Sequence, residues 1–91
     1  MSLTLRIISP ERIVFVGEVE SVTVPGTMGE FQVLPNHAPL ISSLDPGKVV
    51  YDTNEGRMEI GISGGFAEVQ NNNVSLCVEL WLWKIIEIQK W

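Results

Sequence analysis

Apolar and polar positions alternate along most of the chain, and the alternation predicts a series of short strands. Leu3, Leu5 and Ile7 share one face of the first. Ser9-Pro10-Glu11 then turns the chain. Ile13-Val14-Phe15-Val16 is apolar at consecutive positions, the pattern of a strand covered on both faces, and Gly17 allows a bulge or bend behind it. Val19 is separated by an odd number of positions from Val22 and by an odd number from Val24. One straight strand would put it on the opposite face from both, so the pattern calls for a bulge near Glu20-Ser21 or a strand that passes from one sheet to another.

The remaining segments follow the same logic. Pro25-Gly26-Thr27-Met28-Gly29 reads as a loop, Phe31 and Val33 as the restart of a strand, and Pro35-Asn36-His37-Ala38-Pro39 as a rigid second loop. Leu40 and Ile41 begin a short strand closed by Asp45-Pro46-Gly47. Val49 to Tyr51 and Arg57 to Ile62 flank the turn Thr53-Asn54-Glu55-Gly56 as a hairpin, with Met58, Ile60 and Ile62 on one face. Gly64-Gly65 bends the chain into Phe66-Ala67-Glu68-Val69, and Asn71-Asn72-Asn73 makes the last turn. Val74, Leu76 and Val78 then point inward, against Ser75, Cys77 and Glu79 on the outer face.

Composition supports the all-β reading. Val and Ile together number twenty and Ala only two, in a chain of 91 residues that suffices for one domain. Gly and Pro recur at the spacing of a sandwich or barrel. Residues 1–79 carry ten acids and four bases; residues 80–91 carry one acid and two bases and are mostly apolar, with all three tryptophans, Trp81, Trp83 and Trp91. The expected division is a sandwich domain over 1–79 and an apolar tail over 80–91. The tail fits neither helical nor strand period, so a final strand, a short helix and a sticky extension all stay open.

Charge and cysteine count exclude several classes. An acidic body without a basic stripe argues against nucleic acid. The single Cys77 can form neither an internal disulfide nor a CxxC metal site. No N-terminal basic-then-apolar segment reads as a secretory signal, which makes the cytoplasmic side the expected location. The longest apolar stretch falls short of the ~20 residues that span a bilayer.

Candidate chemistry is sparse. His37, the only histidine, would serve a small hydrolase as general base, but its flanking prolines favour a packed loop residue. Cys77 has no cationic neighbour in sequence to activate its thiol. Asp52-x-Asn54-x-Gly56 looks like the start of a calcium loop, with the glycine one position early and Ser63 where the twelfth ligand belongs, so it reads as a hairpin turn. Asn73-Val74-Ser75 matches a glycosylation sequon without a secretory signal to support it. Gly64-Gly65 lacks the following Lys and helix of a phosphate loop. Glu30, at the tip of a loop framed by Pro25 and Pro35, reads as a charge presented to a partner.

Two longer motifs carry a resemblance. Gly29-Glu30-Phe31-Gln32-Val33-Leu34-Pro35-Asn36-His37-Ala38-Pro39-Leu40 resembles the Gly-Glu-apolar start and Pro-x-His-Ala-Pro-Leu loop of the epsilon subunit of F-type ATP synthases (delta in mitochondria). Ile62-Ser63-Gly64-Gly65-Phe66-Ala67-Glu68-Val69 resembles that family's second signature, and Leu5 to Pro10 and Val22 to Gly26 fit the same frame, so the likeness covers about residues 3–79. Asn36 stands where the family often has Gly, and Asn also tolerates positive φ. Gln32 replaces a small residue.

The resemblance implies a ten-stranded β-sandwich at the foot of a central stalk, a noncatalytic rotor subunit that joins the gamma subunit to the membrane c-ring and couples ion translocation to ATP synthesis. It places Met28, Glu30 and His37 together on the c-ring side. Ser75, Cys77 and Glu79 are a candidate partner face by alternation alone. The implied location is peripheral, on the cytoplasmic face of the cell membrane. Many members continue into a C-terminal helical hairpin that inhibits hydrolysis and in some cases binds ATP; its residues have no counterpart in this sequence, so no cofactor, metal or nucleotide is expected. Trp81, Trp83 and Trp91 suggest self-association through the tail. The competing reading is a freestanding sandwich module that recruits a partner through that tail.

Overall fold

The computed structural model describes residues 2–80. Eight strands run in the order β1 (Leu3–Ile8), β2 (Ile13–Val19), β3 (Ser21–Gly26), β4 (Gly29–Val33), β5 (Leu40–Leu44), β6 (Gly47–Thr53), β7 (Gly56–Gln70) and β8 (Asn73–Leu80). The described residues thus form eight strands where ten were expected. One physical reason lies in β7. The segments on either side of Gly64-Gly65, read from sequence as two strands, are one continuous strand of 15 residues. It bends without breaking because both glycines adopt positive φ, +146° and +150°. Most of the proposed tail, with Trp81, Trp83 and Trp91, lies outside the described residues. Leu80, grouped with that tail by composition, is the last residue of β8, buried and paired with Ile62.

The bend lets β7 serve two sheets. Its first half, Gly56 to Ile62, pairs with β6, and β6 continues through β3 to β4. Its second half, Gly64 to Gln70, lies between β8 and β5, and β8 continues through β1 to β2. Every pairing is antiparallel except β1 with β8. The sheets meet again where Gly26 of β3 pairs with Leu44 of β5. The phase slip after Val19 has its explanation here. Val19 ends β2 in one sheet, Glu20 interrupts, and β3 starts in the other. Both Val19 and Val22 can then face the same core.

That core lies between the sheets. Leu3, Leu5, Ile7, Val74, Leu76 and Val78 come from the first sheet (β2-β1-β8-β7-β5), and Val22, Val24, Val33, Val49, Tyr51 and Ile62 from the second (β7-β6-β3-β4). Full burial of each such side chain contributes on the order of 1.5–3 kcal/mol, set against the entropy of ordering the chain. At one margin Phe15 of β2 meets Tyr51 of β6, with ring centroids 4.7 Å apart and planes tilted by 43°. A bulge in β2 pairs Ile7 with Phe15 but Ile8 with Ile13, so Val14 is the additional residue, and Val14 and Phe15 both pack on the core. Ile13 and Val16 face outward and are exposed. The second covering implied by the apolar run is not supplied by the described residues.

Gly65 carries the tightest approach in the fold: a Cβ there would sit 2.2 Å from the Cys77 carbonyl oxygen. Gly29 also has positive φ, +128°, but has nothing within 4 Å of the same point. Gly65→Ala is expected to cost more than about 3 kcal/mol, combining clash with strain, and Gly29→Ala about 1 kcal/mol from strain alone. Urea midpoints of the two variants check the difference. Burial raises the hydroxyl pKa of Tyr51, the only tyrosine, above its ordinary 10.0. The folded state therefore holds that proton more tightly than the unfolded chain does. Stability from this group is intact below pH about 10 and falls as pH rises through the folded pKa. Tyr51→Phe should flatten that alkaline loss in urea titrations, and tyrosinate absorbance of the native protein should emerge above the ordinary value.

Candidate interaction surfaces

The first sheet carries an apolar outer face. Its register aligns Ser43, Phe66, Cys77, Ile8 and Ile13 in one row across β5, β7, β8, β1 and β2. The next row is Ile41, Glu68, Ser75, Arg6 and Val16. Ile41 is 76% exposed, Ile13 61%, Val16 55% and Phe66 51%. Alternation forces this arrangement, because each of these residues sits one position from a core residue. Ser75 and Cys77 are half-buried within the face, and Glu79 lies exposed at its margin, so the row identified from sequence belongs to it. A cavity of about 390 Å³ opens beside it, between Ile8-Ser9-Pro10 and Gly64-Gly65-Phe66 with Cys77.

The outer face of the second sheet is different. Glu30 and Gln32 of β4 lie beside Pro25 and Thr23 of β3. Lys48 pairs with Glu59 at 3.5 Å and Arg57 with Asp52 at 3.2 Å. Asp52 also accepts from Ser21 Oγ at 3.0 Å. Its carboxylate oxygens thus serve the β6–β7 hairpin and β3, in agreement with a turn rather than a calcium loop. Among the described residues no group of three metal-ligating side chains occurs.

The loops at the two ends of the sandwich separate residues that the sequence reading placed together. Met28, at the tip of the β3–β4 turn, is 98% exposed. Its turn is tied to the end of β5: Thr27 N donates to the Ser43 carbonyl at 3.0 Å, and Asp45 N to the Pro25 carbonyl at 2.8 Å. Glu30 stands beside it, exposed and opposite Pro25. His37 follows the other end of β4, and the strand between them spans roughly 14 Å at 3.4 Å per residue. The His37 loop instead sits against the β7–β8 turn, where Asn36 N donates to Asn72 Oδ1 at 2.6 Å. Met28 and Glu30 share one end, and His37 occupies the opposite one. The three residues named from the sequence are thus divided between the two ends of β4.

The contact between loop and turn joins left-handed asparagines, Asn36 (φ 68°) of the His37 loop and Asn71 (φ 52°) and Asn72 (φ 62°) of the β7–β8 turn, as their tolerance of positive φ predicts. His37 Nδ1 lies 2.8 Å from the carbonyl oxygen of Ala38 and can donate to it. The cavity beside the ring is lined by Asn36, Ala38, Pro39, Asn71 and Asn72. None of these supplies the nucleophile that a base at His37 would need.

Sequence reasoning missed most of the apolar outer face. Phe66 and Ile41 were read only as members of short strands, and which strands lie side by side depends on long-range pairing. Removal of the Asn36–Asn72 contact by Asn72→Ala is expected to raise amide exchange in residues 35–38 several-fold while costing about 1 kcal/mol of global stability. Hydrogen-exchange mass spectrometry with a urea titration checks both.

The chain resembles known proteins over its described length and slightly beyond. Residues 2–84 match the family model described as ATP synthase, Delta/Epsilon chain, beta-sandwich domain. An ATP synthase epsilon chain from Leptospira borgpetersenii is 44% identical over 77 residues, which is 85% of this chain and 61% of that one. Those of Synechococcus elongatus and Desulfitobacterium hafniense are 44% and 46% identical over 78 residues, 86% of this chain and 57% and 59% of theirs. This chain therefore spans less than two thirds of the curated relatives it matches. The fold also matches a chain in the Euglena gracilis mitochondrial ATP synthase structure containing OSCP, F1 and the c-ring, with TM-score 0.79 and 22% identity over 98% of this chain and 62% of that one. A chain of the Tetrahymena thermophila mitochondrial ATP synthase central stalk and c-ring matches with TM-score 0.73 and 11% identity, covering 87% of this chain and 64% of that one.

Proposed function

This chain belongs to the delta/epsilon β-sandwich family of ATP synthase subunits, and on that premise we propose that it is a noncatalytic rotor subunit joining the gamma subunit to the membrane c-ring. The observation that carries the proposal is the asymmetry between its two outer faces. On the second sheet four of the charges pair with one another, Lys48–Glu59 and Arg57–Asp52. The first exposes Ile13, Val16, Ile41 and Phe66 in adjoining rows. Isolated apolar residues on a surface are ordinary, but a contiguous group on one sheet face is what a protein partner covers.

The stalk reading assigns the two surfaces different tasks. Gamma takes the apolar face of the first sheet, including Phe66, Cys77 and Ser75. The c-ring takes the end that presents Met28 and Glu30. An exposed thioether adapts to an irregular loop surface, and a carboxylate two residues away fixes register against a basic group. The hydrogen bonds from Thr27 and Asp45 brace this turn against β5, so a load on Met28 passes into both sheets. Torque transmission asks for such a brace, because a compliant contact would dissipate rotation before it reached the other face. His37 is then a loop residue of the opposite end and takes no part in bond chemistry. Peripheral placement at the cytoplasmic face of the membrane follows from the same assembly, and among the described residues no helix is long and apolar enough to cross a bilayer.

Phe66→Asp is expected to weaken co-purification with gamma by at least about tenfold, the effect of placing a charge in the desolvated centre of an interface. Glu30→Lys should leave gamma binding intact and lower ion-driven ATP synthesis in reconstituted membranes. Normal synthesis by Glu30→Lys would overturn the c-ring assignment. Undiminished gamma binding by Phe66→Asp would overturn the assignment of the apolar face.

A further inference from the structure

Arg6 stands in the middle of the apolar face. Its register neighbours are Val16 on one side and Ser75 on the other, and the adjoining row carries Ile8 and Cys77. Lys48 and Arg57 have acidic partners, and Arg12 is engaged through its own contacts. Among the described residues, Arg6 makes neither an ion pair nor a side-chain hydrogen bond. The carboxylates of the same face lie apart from it. Glu68 is two strands away, beyond Ser75, at roughly 10 Å by strand spacing. Glu18, two residues along β2 from Val16, accepts a hydrogen bond from Ser2 Oγ. Glu79 lies at the margin, two residues along β8 from Cys77.

Covering this face would take the Arg6 guanidinium out of water, and a charge buried without a partner is strongly disfavoured. A partner that covers Phe66, Ile8, Val16 and Ile41 must therefore supply acceptors at the centre of the contact. Two parallel hydrogen bonds from a carboxylate match the guanidinium fork best. We propose that Arg6 is the specificity residue of the first sheet's outer face: it docks a protein surface that presents a carboxylate inside an apolar patch. This rests on the stalk reading above, which makes that surface part of gamma. Charge argues against a second copy of this chain as the occupant, since each copy carries a net charge of −5 and its face carries Glu68, with Glu18 and Glu79 at the margins. The same acidic groups favour a partner whose carboxylate is ringed by basic groups.

The test measures binding of the purified chain to the gamma subunit of the same synthase by calorimetry, at low and at high ionic strength. Arg6 is exposed, so its variants should keep the parent's circular dichroism and melting temperature. Arg6→Ala is expected to weaken binding about tenfold and Arg6→Glu more, with Arg6→Lys recovering part of the loss. Salt should weaken the parent more than Arg6→Ala. Binding of Arg6→Ala and Arg6→Glu within about twofold of the parent, with Phe66→Asp still defective, would overturn the role of Arg6 and leave the docking face standing. Failure of the parent to bind gamma would overturn the stalk reading and this inference with it. Dimerisation of the parent in sedimentation runs, lost in Arg6→Glu, would show that a second copy is the occupant and overturn the assignment to an acidic partner.

Discussion

The close approach of Gly65 to the Cys77 carbonyl is the constraint on which the rest of the molecule depends. Only a residue without Cβ can occupy that point, and only a positive φ can turn the chain there. Together they let one strand leave the sheet it shares with β6 and enter the sheet it shares with β8 and β5. Ser63 is the residue displaced at the transition, between the pairs Ile62–Leu80 and Gly64–Glu79. Without the bend, β7 could serve one sheet or the other. The space now filled by Leu76, Val78, Val49 and Ile62 would have one wall.

The same bend sets the two outer faces. Residues alternate inside and outside along every strand, so fixing the core side also fixes what remains. On the sheet containing β6 the remainder is charged and pairs with itself across strands. On the sheet containing β8 the remainder exposes Ile13, Val16, Ile41 and Phe66, with Arg6 and Glu68 in the same rows. A small sandwich buries a modest share of its surface, and few of its 91 residues can be spared for an exposed apolar group that does nothing. That economy links the packing to the proposed role in the stalk.

Much of the architecture was legible in the alternation. Leu3, Leu5 and Ile7, and likewise Val74, Leu76 and Val78, are buried as their period of two predicts. Asn36, Asn71 and Asn72 take the left-handed backbone expected of asparagine turns. The phase slip at Val19 marked the passage between sheets. The strand count was less legible, because a glycine pair reads as the end of a strand whether the chain breaks there or only bends. The run Ile13 to Val16 suggested a strand covered on both faces; the described residues leave its outer side open, and a bulge turns both Val14 and Phe15 toward the core. Nor could proximity along the chain show that His37 lies away from Met28. Eight residues of β4 and the following loop separate them, and a strand is the straightest path a chain can take.

By itself the sequence determined the all-β class, most of the core, the turns and, through two motifs, the family. These properties reside in single residues or in spacings of a few positions, where side-chain period and backbone preference act locally. Tertiary structure alone decided that β7 serves both sheets, that no carboxylate among the described residues pairs with Arg6, and that the His37 loop rests on Asn72. Each of these depends on which distant segments pair, and pairing is chosen by the closure of a common core, a property of the whole chain.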